Sequence, residues 1–200
     1  MKQKLISVEK NYGTKYLNFY TAKYQTDGKP RDYYFVSRND INDLAIKNEQ
    51  VKPTAIEAFT YTYDDNGEIQ VVMIEEFRSA VGKYVTSFCA GLIEKDEDVN
   101  KAIEREVYEE LGAEVANIEL LQNYPLPMCA GMCDEANYMA LVQVKNIGKQ
   151  HLEETEDIKL RIYNLRDLIK KVENNEIYLT ASGYLGYLVL YNYLINKEGV

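Results

Sequence analysis

Glu106, Glu109 and Glu110 stand at i, i+3 and i+4 in the stretch Arg105-Glu-Val-Tyr-Glu-Glu-Leu-Gly112-Ala113. If that stretch is helical, the three carboxylates are neighbours on one patch of the helix surface. They repel one another there unless a cation neutralises them. Hard divalent ions take oxygen ligands and bind through a few carboxylates together with substrate phosphates. The spacing therefore points to metal-assisted attack on a phosphate ester or anhydride. Taken alone, a pair such as Glu109-Glu110 reads as a solvated helix face.

The surrounding residues specify more. Gly91, five residues, Glu97, seven residues, then Arg105, Glu106, Val107, Glu109, Glu110, Gly112 and Ala113 fill every position of a long pattern without a gap. This segment resembles the signature of the Nudix hydrolases. The resemblance implies that Glu106, Glu109 and Glu110 are metal ligands, with the backbone carbonyl of Ala90 as a further one. The implied ion is Mg²⁺, with Mn²⁺ as the alternative, and its work is to polarise a phosphoryl oxygen and activate a water. Arg105 and Glu97 are implied to pair as a salt bridge that fixes the loop against the helix. Gly91 is expected to allow a tight turn before the helix, and Gly112 to stop it.

Flanking segments resemble the ADP-ribose pyrophosphatase branch of the family. Upstream these are Glu75-Glu-Phe-Arg78 and Val81-Gly-Lys-Tyr84. The branch often carries Glu-x-Pro-Ala-Gly next, where this chain has Ser87-Phe-Cys-Ala-Gly91. Downstream, Tyr124-Pro-Leu-Pro-Met-Cys-Ala-Gly131-Met-Cys-Asp-Glu135 resembles a Pro-Gly loop with a trailing glutamate, here split by an insertion between Pro127 and Gly131. Leu152-Glu-Glu154-Thr-Glu156-Asp-Ile158 resembles the acidic loop before the last strand, whose glutamate orients the attacking water or binds a metal. Glu154 and Glu156 are the candidates for that base, with Glu156 ahead. Arg78 is the candidate phosphate contact, since a guanidinium matches a diphosphate bidentately; the alternative is a salt bridge with Glu75 or Glu76. Glu135 is carried over as a substrate-binding residue. His151 is the only histidine, but nothing pairs with it and metal-activated water needs no imidazole.

The elements that position these residues follow from periodicity and turn chemistry. Residues 1–50 alternate apolar and polar at Leu5–Val8, Tyr16–Tyr20 and Asp32–Val36, punctuated by Gly13 and Asp27-Gly28, which predicts a small antiparallel sheet. Ala55–Tyr63 and Gln70–Glu75 flank Asn66-Gly67, a hairpin signal in which both turn residues accept positive φ. A strand at Val85–Cys89 feeds Gly91, and the motif helix spans Val99–Leu111. Strands are predicted near Ile118–Asn123, Tyr138–Val144 and Ile158–Tyr163, with helices at Leu165–Val172 and Ala181–Ile195, the last capped by Thr180. Strands and helices in this order suit an α/β (α+β) fold, an α/β/α sandwich with a mixed sheet at 51–200 preceded by the N-terminal sheet at 1–50; that it is the Nudix-like sandwich is what the resemblance implies.

The chain has 200 residues and a formal net charge of −9, which argues against a nucleic-acid partner, whose phosphates demand a basic surface. A small phosphorylated ligand stays compatible, because a bound divalent metal reverses the local charge. No run is apolar enough to span a membrane and the N-terminus lacks a signal-peptide core. The three cysteines, Cys89, Cys129 and Cys133, are expected as reduced thiols in a cytoplasmic protein. Cys129 and Cys133 lack the second pair that a zinc site needs.

The function expected from the resemblance is Mg²⁺-dependent hydrolysis of a nucleoside diphosphate derivative, ADP-ribose to AMP and ribose 5-phosphate. Alternatives are another nucleoside diphosphate sugar or dinucleotide, or a non-catalytic nucleotide sensor, for which degenerate glutamates would be expected. A homodimer is expected through the N-terminal sheet, with aromatics of residues 16–35 stacking on the base.

Overall fold

The structure, a computed structural model, describes residues 3–198, with side chains to residue 193. The chain runs β1 (Gln3–Gly13), β2 (Asn18–Thr26), β3 (Lys29–Ser37), a single helical turn α1 (Ala45–Asn48), β4 (Ala55–Tyr63), β5 (Ile69–Arg78), β6 (Lys83–Ser87) and β7 (Cys89–Leu92). Then come α2 (Val99–Leu111), β8 (Glu114–Leu120), β9 (Leu126–Pro127), β10 (Ala136–Lys145), β11 (Ile158–Asn164), α3 (Leu165–Glu173) and α4 (Ala181–Glu198). Two compact units divide it: residues 1–55 with 124–137, and residues 56–123 with 138–200.

In the first unit β1, β2 and β3 form an antiparallel sheet. Asp27 and Gly28 both have positive φ (49° and 80°), the geometry that a two-residue hairpin needs to match strand twist. One sheet face is closed by Tyr20, Ala22, Phe35 and Leu44, with the Tyr20 and Phe35 rings stacked at 5.4 Å. On the other face Phe19 and Tyr34 stack at 6.1 Å and stay exposed. The segment 124–137 belongs to this unit because Val36 N–H donates to the Met132 carbonyl (2.9 Å) and Tyr33 OH to the Gly131 carbonyl (2.7 Å). A boundary near residue 50, drawn from the sequence, leaves that later segment out.

The second unit carries a mixed sheet in the order β11-β5-β4-β10-β8, with β6 paired to β5 and β7 to β4. Its central strands are mostly apolar on both faces, as suits strands covered on both sides, with Glu57 and Thr60 of β4 buried among them. Ile56, Ala58, Val72, Ile74, Ala140 and Val142 meet Ala102, Ile103, Val107 and Leu111 of α2. The alternate residues Phe59 and Met73 are buried on the opposite side, where α3 lies against β5 and β11, and α4 against β6. The result is the α/β/α sandwich expected from the sequence.

Three local expectations change. The Asn66-Gly67 hairpin is not a two-residue turn with both φ values positive: only Gly67 is (φ 80°). Asp64 Oδ1 accepts the N–H groups of Asn66 and Glu68, each at 2.9 Å, which favours a turn over 64–67 closed by a glycine bulge. The strand after the motif helix starts at Glu114 rather than near Ile118. Gly91, expected in a turn, lies inside β7.

Thr180 Oγ1 accepts the Gly183 N–H at 2.9 Å, so it does cap α4. Gly186 lets this helix approach the sheet: a Cβ there would lie 2.5 Å from Phe59 Cδ1 and 2.6 Å from Phe88 Cε2. Gly186→Ala is therefore expected to destabilise the protein by about 1–3 kcal/mol through overpacking, read as a lower urea midpoint. An unchanged midpoint would show that the rings yield freely. Among the described residues, no helix is long and apolar enough to cross a membrane.

Candidate active site

The glutamate helix α2 has sharply defined ends. Asp98 accepts the Asn100 N–H at 2.9 Å as the N-cap. Gly112 adopts φ 60° and returns its N–H to the Tyr108 carbonyl at 3.0 Å. A side chain at 112 is excluded twice, by the left-handed backbone and by the Lys149 carbonyl, which would lie 2.3 Å from a Cβ.

Between these caps Glu106 and Glu110, one turn apart, point inward and are only 8% and 4% exposed. Glu109 stays more open. Strand β7 forms the floor beneath them. The Ala90 N–H donates to Glu110 Oε2 at 3.1 Å. A Cβ on Gly91 would fall 1.8 Å from Glu106 Oε1. Gly91 thus provides room for a carboxylate against the strand, a requirement that arises only once helix and strand are packed.

Burial is the main force on the carboxyl groups. It pushes Glu110 up to about 8, reinforced by the charge of Glu106 and opposed by hydrogen bonds from the Cys89 thiol and the Ala90 N–H. Glu106 is also raised, chiefly by burial, with Arg105 pulling it back. The Cys89 thiol is buried and held well above its ordinary value by burial and by the charge of Glu110. This is a pocket of negative charge short of positive charge.

Arg105 is the only cation supplied to it by α2. Its Nε and Nη2 clasp both oxygens of Glu97 at 2.9 Å. Nη1 donates to Glu106 Oε1 at 2.6 Å and Glu109 Oε2 at 3.2 Å, and Nη2 to the Leu92 carbonyl at 2.9 Å. Glu97 also accepts the Glu94 N–H at 2.8 Å, and its carboxyl is lowered first of all by the Arg105 hydrogen bond. The pair therefore ties the loop 92–97 to the helix.

A cleft of about 500 Å³ opens here, lined by Ala90, Gly91, Glu94, Arg105, Glu106, Glu109, Glu153 and Glu156. Of the two candidate bases, Glu156 lines it and Glu154 does not. Glu156 N–H donates to the Glu153 carbonyl (3.1 Å) and Glu153 N–H to Glu156 Oε2 (2.9 Å), so Glu154 and Thr155 form the tip of a turn. Glu94 and Glu153 were missed in the sequence; the acidic run 153–156 was the signal for the latter.

Other candidates lie elsewhere. Arg78 ion-pairs with Glu76 at 2.9 Å and does not line the cleft. Glu135 belongs to the first unit, where it accepts from Arg38 Nε at 2.5 Å. In that unit Tyr24, Tyr33 and Phe35 surround a hollow of about 140 Å³. His151 stacks on Tyr108 at 4.3 Å. All three cysteines are free. Among the described residues no three His, Cys, Asp or Glu side chains are already gathered as a metal cage; the guanidinium of Arg105 lies on Glu106 and Glu109 instead.

Comparison with known proteins gives a consistent result. A NUDIX domain model matches residues 53–182. The ADP-ribose pyrophosphatase of Bacillus subtilis (strain 168) is 30% identical over 161 residues, covering 78% of this chain and 83% of that protein. The methanol dehydrogenase activator of Bacillus methanolicus is 25% identical over 154 residues, 72% and 79% of the two chains. A crystal structure of an ADP compounds hydrolase matches with a TM-score of 0.73 at 17% identity, over 100% of this chain and 98% of the other, and shows the shared fold.

Proposed function

The chain belongs to the Nudix family of pyrophosphohydrolases, and on that premise we propose that it hydrolyses ADP-ribose to AMP and ribose 5-phosphate with Mg²⁺. The observation that carries this reading is the cleft lined by Glu106, Glu109 and Glu156 together with Ala90 and Gly91 of β7, with Glu110 buried on the same helix. The residues present fit a hard divalent ion: the donors are all oxygens, and two carboxyls are raised by burial in a site short of positive charge. Glu106, Glu109, Glu110 and the Ala90 carbonyl would hold it, with Mn²⁺ as a substitute. Bound there, such an ion supplies Lewis acidity towards a phosphoryl oxygen and lowers the pKa of a water.

The remaining work falls to the chain. Glu156 accepts the proton of the attacking water, for which a carboxylate within hydrogen-bond reach suffices. Arg105 and Glu97 hold the loop 92–97 in place, and Gly91 leaves room for the Glu106 carboxylate against β7. The substrate rests on the Bacillus subtilis relative. Arg78 would reach a phosphate only after leaving Glu76, and Glu135 would contact substrate only after leaving Arg38. The exposed Phe19–Tyr34 face of the N-terminal sheet supports a homodimer.

A panel of nucleoside diphosphate sugars and dinucleotides, assayed with Mg²⁺ and again with a chelator, tests the reading. ADP-ribose is expected to be cleaved fastest, with AMP as a product, and the chelator to stop turnover. No turnover of any compound by protein that binds one of them tightly would overturn it.

A further inference from the structure

We propose that Tyr84 is a positioning residue whose hydroxyl, donated to Asp157, fixes the acidic loop 153–157 and with it Glu156 at the cleft. The proposal rests on the reading that Glu156 takes the proton of the attacking water.

The loop holds itself weakly. Its internal bonds are the two between Glu153 and Glu156, and its residues 153–157 are exposed. A turn of this kind, with solvated backbone and few apolar contacts, belongs to the least stable parts of a fold. On its C-terminal side it joins β11, whose pairing with β5 begins at Ile158 opposite Glu76. One further ladder bond, Phe77 N–H to the Asp157 carbonyl, is long at 3.4 Å. Glu156 is therefore the first residue beyond the end of the sheet.

At that point Tyr84 OH meets the Asp157 carboxylate. Tyr84 stands on β6, a different strand from the one that carries the loop, so the bond ties the loop to the sheet from a second direction. Its ring is held from two sides. Phe77, its cross-strand neighbour on β5, packs edge-on at 5.4 Å between centroids. The Lys159 ammonium lies 4.0 Å from the ring centre, a cation–π contact from the loop's own strand. A ring so constrained presents its hydroxyl at one place, and an ionised acceptor makes this a charge-assisted bond. Displacing Asp157 moves the adjacent Glu156.

Tyr84→Phe keeps the ring and removes only the donor. In hydrogen exchange, the bonded amides of Glu153 and Glu156 should exchange about tenfold faster, roughly the value of one such bond. Against ADP-ribose and Mg²⁺, kcat should fall about tenfold with KM within twofold. Combined with Glu156→Gln, measured in single turnovers with excess enzyme, Tyr84→Phe should add no further loss, because it acts through that carboxylate. Asp157→Ala, which removes the acceptor, should reproduce each effect, and provides the test if Tyr84→Phe lowers the melting temperature. Unchanged loop exchange in both variants overturns the proposal, as does an equal loss of kcat in the Glu156→Gln background. The exchange measurement needs no substrate, so failure of the wild-type enzyme to cleave ADP-ribose would refute the functional reading without deciding this one.

Discussion

Glu110→Gln is expected to lower kcat by about 10³-fold, about 4 kcal/mol of transition-state stabilisation, while raising the melting temperature of the metal-free protein. The two effects have one cause. Glu110 is buried and its carboxyl is pushed from the ordinary 4.5 up to about 8. Between those values the folded protein holds a proton that the unfolded chain releases, so stability falls as pH rises through this window. Below pH 4.5 both states are protonated and the penalty vanishes; above pH 8 it is complete. Glutamine keeps an oxygen for the Ala90 N–H and removes the charge. Thermal melts from pH 5 to pH 8 should therefore slope downward in the metal-free wild type and flatten in the variant, which should be several degrees more stable at pH 8. A variant with near-normal turnover would remove Glu110 from the metal site. A variant no more stable than wild type at pH 8 would show that burial is not what strains this carboxyl.

Arg105→Lys is the second large effect, although it conserves charge. The guanidinium serves Glu97 through two nitrogens while also reaching Glu106, Glu109 and the Leu92 carbonyl. An ammonium has three donors and no planar fork. It can satisfy one or two of these partners, leaving carboxylates uncompensated beside the buried Glu106. The expected loss is about 2–3 kcal/mol of stability, below the ~3–5 kcal/mol of breaking one side of a fully buried ion pair because the charge is kept and the Arg105 side chain is partly exposed. Because the orphaned carboxylates are also the proposed metal ligands, millimolar Mg²⁺ should recover part of that loss in urea unfolding. Wild-type protein should gain less. Equal gains in the two proteins would separate Arg105 from the metal site.

Much of this centre could be read locally. Asp98 and Gly112 cap α2 through groups within a few residues of each end, so the helix limits predicted from the sequence coincide with those observed. The pairing of Glu97 with Arg105 was available from the motif for the same reason. Gly91 shows the opposite case. Its need for a missing side chain comes from Glu106, a contact made only after α2 has docked on β7. Likewise the sequence offered both Glu154 and Glu156, with Glu156 ahead, and in the turn closed by Glu153 it is Glu156 that lines the cleft. The Asn-Gly dipeptide suggested one turn, but Asp64 just before it supplied an acceptor that favours another. A contact between packed elements decided the first of these, and short-range side-chain hydrogen bonds decided the other two.

The joining of residues 124–137 to the N-terminal sheet sets an order of assembly. During synthesis β1, β2 and β3 emerge long before the segment that supplies their remaining hydrogen-bond partners. Closing so long a loop costs entropy that nearby contacts do not offset until the intervening strands have formed. A fragment ending at residue 50 would leave Val36 N–H without the Met132 carbonyl and Tyr33 OH without that of Gly131. The sheet that begins the chain is thus among the parts that can finish folding only late, and cutting the gene at its apparent boundary would yield a piece with an open edge.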